Sequence, residues 1–372
     1  MRIVYVLTSL GMGGAEKQAL AVAERMVRRG HDVALIVLMP PVAEEWAAPL
    51  HKIHLGISPS PASWISGLMR ARRFVRDFRP DLIHSHSYHA NIFGRLLKLV
   101  IPRAAVISTV HNVYEGGWTR MLAYRLTESL SRRTVAVSEA AAERFVRLKA
   151  IPARKSCVIA NGIDAEEFAP DGRRRKLTRA EMEPEPRAGR GDFVWIAIGR
   201  IAPAKDYPNL IRAFAKVWAK GHDARLWIAG EGMEQDVSAL QRLAVELGAC
   251  DAIRFLGLRR DIPALLDATD GFVLSSAWEG MPLALGEAMA MEKPVVATDV
   301  GGVRELVGTA GTVVPAQDDE ALANAMIETM QHGDQERCAL GRAARKRIVD
   351  YFSVDSRADA WEVLYRSLLA KN

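Results

Sequence analysis

Short apolar runs and amphipathic stretches alternate along nearly the whole chain. RIVYVLT at the start is followed by GAEKQALAVAERMVRR, whose apolar residues recur at helical spacing and which Gly30 closes, and then by HDVALIVL. Further strands are predicted at 81–85 (DLIHS), 104–110 (AAVISTV), 134–138 (TVAVS) and 156–160 (SCVIA), separated by amphipathic helical stretches. Alternation of this kind predicts a parallel sheet with helices on both faces, because parallel strands need a crossover and the crossover helix packs back onto the sheet.

The pattern breaks at DGRRRKLTRAEMEPEPRAGRGD (171–192), which is charged, holds Pro and Gly, and has almost no large apolar side chains. It predicts a solvated linker over residues 169–192. Alternation restarts with FVWIAIG (193–199), ARLWIAG (224–230), AIRFLG (252–257), GFVLSS (271–276) and KPVVATD (293–299), a second sheet of the same kind. The expected organisation is a Rossmann-like domain over 1–168, a second over 193–352, and a helix over 353–372, capped by Asp355 or Ser356, that crosses back to the first. The fold class is α/β, with two facing doubly wound parallel-sheet domains. Ligands of such sheets bind at the carboxyl ends of the strands, here the cleft between the domains. A chain of 372 residues agrees with two cores, since single cores stop growing near about 250–300 residues.

Composition narrows the class. Apolar residues make up 49% and charged residues 25%, ordinary for a globular protein. Cys157, Cys250 and Cys338 are far apart, odd in number and in no metal-like pattern, which argues against a disulfide framework and a zinc site. No charged leader precedes the first strand, and no apolar run reaches about 18 residues, so a cytoplasmic protein without a membrane span is expected. The net charge of +6 is unevenly spread: residues 1–160 carry 23 Lys and Arg against 11 Asp and Glu, the remainder 27 against 33. The first half could therefore face an anionic partner such as lipid head groups, diphosphates or nucleic acid.

Candidate chemistry sits where strands empty into loops. After GFVLSS comes AWEGMPLALGE, with Glu279 before a predicted helix, Pro282 in its first turn and Glu287 a turn further on. Free N–H groups at such a helix start, with two carboxylates beside them, suit a polar and partly anionic ligand. An acid–base pair for glycoside hydrolysis is the alternative, but nearby Arg and Lys favour both carboxylates staying ionised, so hydroxyl recognition is preferred. In AIGRIAPAKDYPNL, Arg200 and Lys205 stand at another strand end before a Pro-initiated helix, a pair that would clamp a diphosphate, the alternative being two cations on a solvated surface. LTSLGMGGAEKQAL brings Gly11, Gly13 and Gly14 to a strand-to-helix turn, which serves either a ligand or simply the turn. His84, His86 and His111 lie at strand ends where they could orient an acceptor or a phosphate, His111 most cleanly; the alternative for each is a satisfied histidine without function. Metal ligation by His84 and His86 lacks a third ligand beside them.

Together these segments resemble the retaining glycosyltransferases of family 4, which have the GT-B fold. The resemblance runs nearly end to end: GGAE (13–16), the HSH and VHN strand ends, VSEA (137–140), NGID (161–164), GRIAPAKD (199–206), IAGEG (228–232), FLG (255–257), EGMPLALGE and PVVATDVGG (294–302). It implies that Arg200 and Lys205 grip the donor diphosphate and that Glu287 accepts from the ribose hydroxyls. Glu279, with the backbone N–H groups of Gly280, Met281 and Leu283 around Pro282, would hold the sugar and the β-phosphate. Gly13 and Gly14 would close over the diphosphate, Leu258 would join the nucleotide-binding set, and His111 would face the transferred sugar.

The family needs no cofactor or metal beyond its nucleotide-sugar donor, and keeps the anomeric configuration by front-face attack in which the leaving diphosphate helps deprotonate the acceptor. Family frequency favours UDP over GDP. Lipid-linked acceptors in the family give the basic first domain a meaning: reversible association with an anionic membrane at its inner face, through 64–80 or 118–133, where apolar residues alternate with Arg; the alternative for either segment is an ordinary amphipathic helix packed on the sheet. The polyprenyl-diphosphate glycan is the expected acceptor class. A sugar phosphorylase would need a pyridoxal-phosphate lysine context that is missing, an epimerase usually lacks the EGMPL run, and a non-catalytic sugar-binding protein would generally be exported. No aromatic-rich motif supports nucleic-acid binding.

Overall fold

The computed structural model describes residues 1–11, 13–41, 50–182 and 193–370. The chain divides into two compact units, Met1–Gly162 with the C-terminal segment from Val354, and Ile163–Ser353.

The first unit carries β1 (Arg2–Leu7), β2 (Asp32–Val37), β3 (His51–His54), β4 (Leu82–His86), β5 (Ala105–Val110), β6 (Arg133–Ala136) and β7 (Ser156–Val158) in the order β3-β2-β1-β4-β5-β6-β7, all parallel. The second carries β8 (Phe193–Ile198), β9 (Ala224–Ala229), β10 (Ile253–Gly257), β11 (Gly271–Leu274), β12 (Val295–Thr298) and β13 (Thr312–Val314) in the order β10-β9-β8-β11-β12-β13, again parallel. Winding runs outward in both directions from β1 and β4 in one sheet and from β8 and β11 in the other. Those two junctions are the switch points where such sheets open a crevice beyond their carboxyl ends. The short β3 and β13 escaped the sequence pattern, since HKIH and TVV are too brief to alternate legibly.

Period-two alternation sorts the first sheet into two faces. Ile3, Tyr5, Leu7, Leu82 and Ile107 point one way and pack with Trp361, Tyr365 and Leu368 of the helix Val354–Leu369. Val4, Val6, Ile83 and Val106 point the other way, onto Val75, Phe93 and Leu97. In the second unit Trp195, Leu226 and Ile228 pack with Leu210, Phe214 and Val217 of the helix Tyr207–Ala219. Each large apolar side chain so buried contributes roughly 1.5–3 kcal/mol.

Three boundaries differ from the sequence reading. The first unit's leading segment ends at Gly162, short of the predicted 168, and the second unit runs from Ile163 rather than from 193, because the Ile163 N–H donates to the Phe352 carbonyl (2.8 Å) and Arg345 donates to the Ala165 and Phe168 carbonyls (3.0 and 2.8 Å). Within the predicted linker, Gly172–Met182 is a helix of that unit, pinned by Arg174 to Asp267 (2.5 Å) and by Arg175 and Arg179 to Asp270 (2.5 and 3.3 Å); 183–192 lie outside the described residues. Three of the charges that suggested solvent, Arg174, Arg175 and Arg179, are ion-paired. The C-terminal helix starts at Val354, so Asp355 and Ser356 lie inside its first turn rather than capping it, and Asp355 pairs with Arg25 (3.4 Å).

Candidate active site

In the second unit the loops after β8 and β11 meet. Lys205 lies in a short turn, Pro203–Lys205, before the helix Tyr207–Ala219, whose start is capped by Asp206 through the Asn209 N–H (3.4 Å). Glu279 lies between β11 and the helix Leu283–Ala290. The Lys205 ammonium donates to Glu279 Oε1 at 2.5 Å, and Ser276 Oγ donates to the same oxygen at 2.8 Å. Backbone bonds brace the contact: the Ala277 N–H donates to the Ala204 carbonyl (2.8 Å) and Ser275 Oγ to the Lys205 carbonyl (2.8 Å).

Two glycines make the approach possible. Gly230 lies so near β8 that a Cβ there would sit 2.0 Å from the Gly199 carbonyl oxygen. Gly301, at φ +54°, would place a Cβ 2.1 Å from the Glu279 carbonyl oxygen, while the neighbouring Gly302 N–H donates to the Gly280 carbonyl (2.7 Å). Glu279 and Glu287 are buried, the latter as the fifth residue of its helix. Pro282 takes the cap position of that helix rather than its first turn, and the first N–H to bond across this start is that of Gly286, to the Pro282 carbonyl (3.4 Å). Earlier N–H groups of the turn have no intrahelical acceptor, which suits an anion.

Arg200 follows β8 with Gly199 between; its side chain is exposed and, among the described residues, has no ion-pair partner. Leu258 follows the edge strand β10, two strands from β8, and is 38% exposed. Met281 is buried and Leu283 half-buried.

The first unit has a different polar centre. Register pairs Tyr5 with His84 and His84 with Ile107, so Tyr5, His84, His86 and Thr109 share the face that the C-terminal helix covers. Tyr365 of that helix bonds to Tyr5 Oη (3.0 Å) and to His84 Nδ1 (2.7 Å), and His84 Nε2 bonds to Thr109 Oγ1 (2.7 Å). His84 is thus enclosed and cannot touch an acceptor, contrary to the strand-end expectation. His111, just beyond β5, is half-buried; its Nε2 lies 2.9 Å from His86 Nδ1.

The His111 N–H donates to Glu115 Oε1 (3.1 Å), Tyr124 Oη donates to Glu115 Oε2 (2.6 Å), and Asn91 donates to Tyr124 Oη (2.9 Å). Burial lowers the His111 pKa to about 4, holds His84 and His86 well below the usual histidine range, and raises the Glu115 carboxyl to about 7. Nothing in the sequence reading singled out Glu115, Tyr124 or Tyr365; a carboxylate four residues past His111 was the available signal for the first of them.

Gly13 caps the helix Gly14–Arg28, and the carboxylate of Glu16 folds over it: a Cβ on Gly13 would lie 2.2 Å from Glu16 Oε2, while Ser9 Oγ donates to Oε1 (3.0 Å). The helix start is thereby already faced by a negative charge. Among the described residues no group of three or more His, Cys, Asp or Glu is placed to hold a metal ion, and no helix is long and apolar enough to cross a membrane.

A family model for glycosyltransferase family 4 matches residues 12–167, and one for glycosyl transferases group 1 matches residues 192–332. The chain belongs to the family 4 glycosyltransferases.

Its relatives among characterised glycosyltransferases are distant but extensive. It is 26% identical over 320 residues to the UDP-Gal:alpha-D-GlcNAc-diphosphoundecaprenol alpha-1,3-galactosyltransferase of Escherichia coli, covering 81% of this chain and 79% of that one. It is 27% identical over 379 residues to the GDP-mannose-dependent alpha-mannosyltransferase of Mycolicibacterium smegmatis, covering 94% and 93%. In fold, this glycosyltransferase matches the crystal structure of Anabaena HepE in complex with UDP and glucose, with a TM-score of 0.85 at 21% identity over 99% of this chain and 100% of that one. The fold is GT-B.

Proposed function

We propose that this enzyme is a retaining, metal-independent glycosyltransferase that moves a sugar from a UDP-sugar to a polyprenyl-diphosphate-linked glycan during cell-surface glycan assembly. The observation that carries this reading is the Lys205–Glu279 pair at 2.5 Å, fixed at the switch point of the second sheet beside a helix start. As the bond from the anomeric carbon to the diphosphate breaks, negative charge grows on the phosphate oxygens. Lys205, Arg200 and the first turn of the helix Leu283–Ala290 stand ready to stabilise it. The acceptor oxygen attacks the same face, and its proton passes to the departing phosphate. Glu279 orients the ammonium and accepts from sugar hydroxyls; Glu287 accepts from the ribose. Turnover then rests on positioning and charge stabilisation.

The donor and acceptor assignments draw on the relatives. The Escherichia coli protein is named for UDP-Gal and a diphosphoundecaprenol-linked acceptor, and the HepE structures hold UDP, whereas the mycobacterial protein is GDP-mannose-dependent. Supplying UDP- and GDP-sugars to the full-length protein with a polyprenyl-diphosphate glycan, with and without EDTA, tests the whole reading. Transfer from a UDP-sugar, unaffected by EDTA and with the α-configuration of the donor kept in the product, is expected. Inverted product, exclusive use of a GDP-sugar, or activity that returns only with Mn²⁺ would each overturn its part.

Membrane contact is assigned to the helix Trp118–Leu126. Trp118, Leu122 and Leu126 recur every four residues on one face and are 73%, 42% and 72% exposed, flanked by exposed Arg125 and Arg132. An apolar stripe edged with arginines suits the head-group region of an anionic bilayer. The segment 64–80 is the weaker candidate: Trp64, Leu68 and Phe74 pack on the core, and Arg70 donates to the Leu55 and His54 carbonyls (2.7 and 3.1 Å). Replacing Trp118 and Leu126 with Ser should reduce co-sedimentation with anionic vesicles; equal binding by the variant would reject this surface.

A further inference from the structure

His86 enters no step of the reading above, yet it is the ring that touches His111. It closes β4, is 3% exposed, stacks on Tyr5 (centroids 5.8 Å apart, planes at 18°) and lies 4.1 Å from the His84 ring. Its Nδ1 is 2.9 Å from His111 Nε2, while its own Nε2 is buried and meets no hydrogen-bonding group among the described residues. His84 cannot serve it, since both nitrogens of that ring are occupied by Tyr365 and Thr109.

Both members of the pair are neutral near pH 7, because burial disfavours the imidazolium. Two neutral rings joined by one hydrogen bond have two arrangements. In one, His86 donates from Nδ1 and keeps a bare lone pair at Nε2, which sends the proton of His111 to Nδ1. In the other, His111 donates from Nε2, which forces the proton of His86 onto its buried Nε2 and strands an N–H donor in the core. Stranded donors are rarer in proteins than under-used acceptors, so the first arrangement prevails.

We propose that His86 is a positioning residue that holds His111 in the tautomer protonated on Nδ1, so that the outward nitrogen of His111 meets the transferred sugar as a hydrogen-bond donor. The proposal rests on the reading that His111 faces that sugar. It makes the contribution of His111 definite, because a neutral donor grips a sugar oxygen without exchanging a proton. The bond made at one histidine nitrogen commonly specifies the protonation of the other in this way.

The test uses full-length protein labelled with ¹⁵N-histidine, in wild type and in the His86→Asn, His86→Leu and His111→Ala variants. Wild-type His111 should show a protonated Nδ1 and a bare Nε2 by its ¹⁵N shifts. Asn at 86 can keep an N–H at the place of the His86 Nδ1, so His86→Asn should preserve that signature and kcat within a few-fold. His86→Leu should release His111 toward the Nε2-protonated form and lower kcat on the order of 10²-fold with KM little changed, the loss expected for one misdirected donor.

A wild-type His111 protonated on Nε2, a His86→Leu spectrum identical to wild type, or equal impairment of the Asn and Leu variants would overturn the proposal. If His86→Leu does not fold, the wild-type spectrum and the Asn variant decide it. Normal kcat in His111→Ala would instead remove the functional reading of His111, an outcome the tautomer measurement registers separately.

Discussion

The two units share one plan and install opposite chemistry at the same place in it. Each is a doubly wound parallel sheet with a switch point, between β1 and β4 or between β8 and β11. At the second switch stand charges: Lys205 and Glu279 in contact, Arg200 exposed, and a second carboxylate at Glu287. Around the first stand neutral groups: Tyr5, His84, His86, His111 and Tyr365, with a carboxyl at Glu115 raised to about 7. The physical difference is cover. The C-terminal helix seals one face of the first sheet, so groups there lose water and stay uncharged; the Lys205 side chain keeps 21% of its surface and its charge is met by a carboxylate. Architecture alone therefore says little about chemistry, which is decided by what covers each strand end.

The most severe way to break the comparison is through the backbone of the charged site. Gly301→Ala puts a Cβ 2.1 Å from the Glu279 carbonyl oxygen at a positive φ, and should cost about 4 kcal/mol or more and lower the melting transition of the second unit. Gly333→Ala, with open space around it, is the control and should cost no more than the roughly 1 kcal/mol of a weaker helix N-cap. A Gly301→Ala protein with unchanged melting and activity would mean that this loop adapts freely.

Next come the cations, whose removal should separate function from folding. Arg200→Ala should lower kcat on the order of 10²-fold at an unaltered melting temperature, since the side chain has no ion-pair partner among the described residues. Lys205→Ala should lower kcat at least as much and also cost about 1–3 kcal/mol, because it strands the carboxylate of Glu279. Paired kinetics and melts read both. Identical melts for the two variants would show that the pair contributes nothing to stability.

Glu287→Ala should weaken UDP binding by roughly 1.5–3 kcal/mol, a charge-assisted bond to a ribose diol, as calorimetry with the free nucleotide would register. Unchanged affinity would remove the residue from the nucleotide site and leave it a structural carboxylate.

The smallest effect sharpens the neutral half. Glu115 has a folded pKa near 7 against an ordinary 4.5, so between those values the folded state binds more protons than the unfolded one. Its contribution to stability is present below about pH 4.5 and falls as pH rises to 7. Glu115→Gln should therefore gain on wild type steadily across that window. The histidines act in the opposite sense: with His111 near 4 against an ordinary 6.5, stability present above 6.5 is lost as pH falls toward 4. His111→Asn should flatten the acid side of the profile. Melts from pH 4 to 8 would show both slopes, and parallel curves for Glu115→Gln and wild type would contradict the buried carboxyl.

The sequence by itself determined what is local. A short continuous apolar run such as RIVYVLT and a stretch of period 3.6 such as GAEKQALAVAERMVRR specify strand and helix, and enough such pairs specify two doubly wound sheets. Strand alternation also set which residues share a face, so Tyr5 had to lie with His84 once the strands paired. The candidate site was legible where it is contiguous, as in Glu279 to Glu287 ahead of and inside one helix. Tertiary structure alone decided the partnerships. Lys205 and Glu279 are 74 positions apart, and Tyr365 meets His84 across 281. It also decided that the charged segment Gly172–Met182 is a docked helix, because Arg174, Arg175 and Arg179 find Asp267 and Asp270 nearly a hundred residues on. Periodicity encodes which face a side chain takes, but the element that covers that face is chosen by packing among distant segments, and a charge or a histidine changes its meaning entirely with the cover it receives.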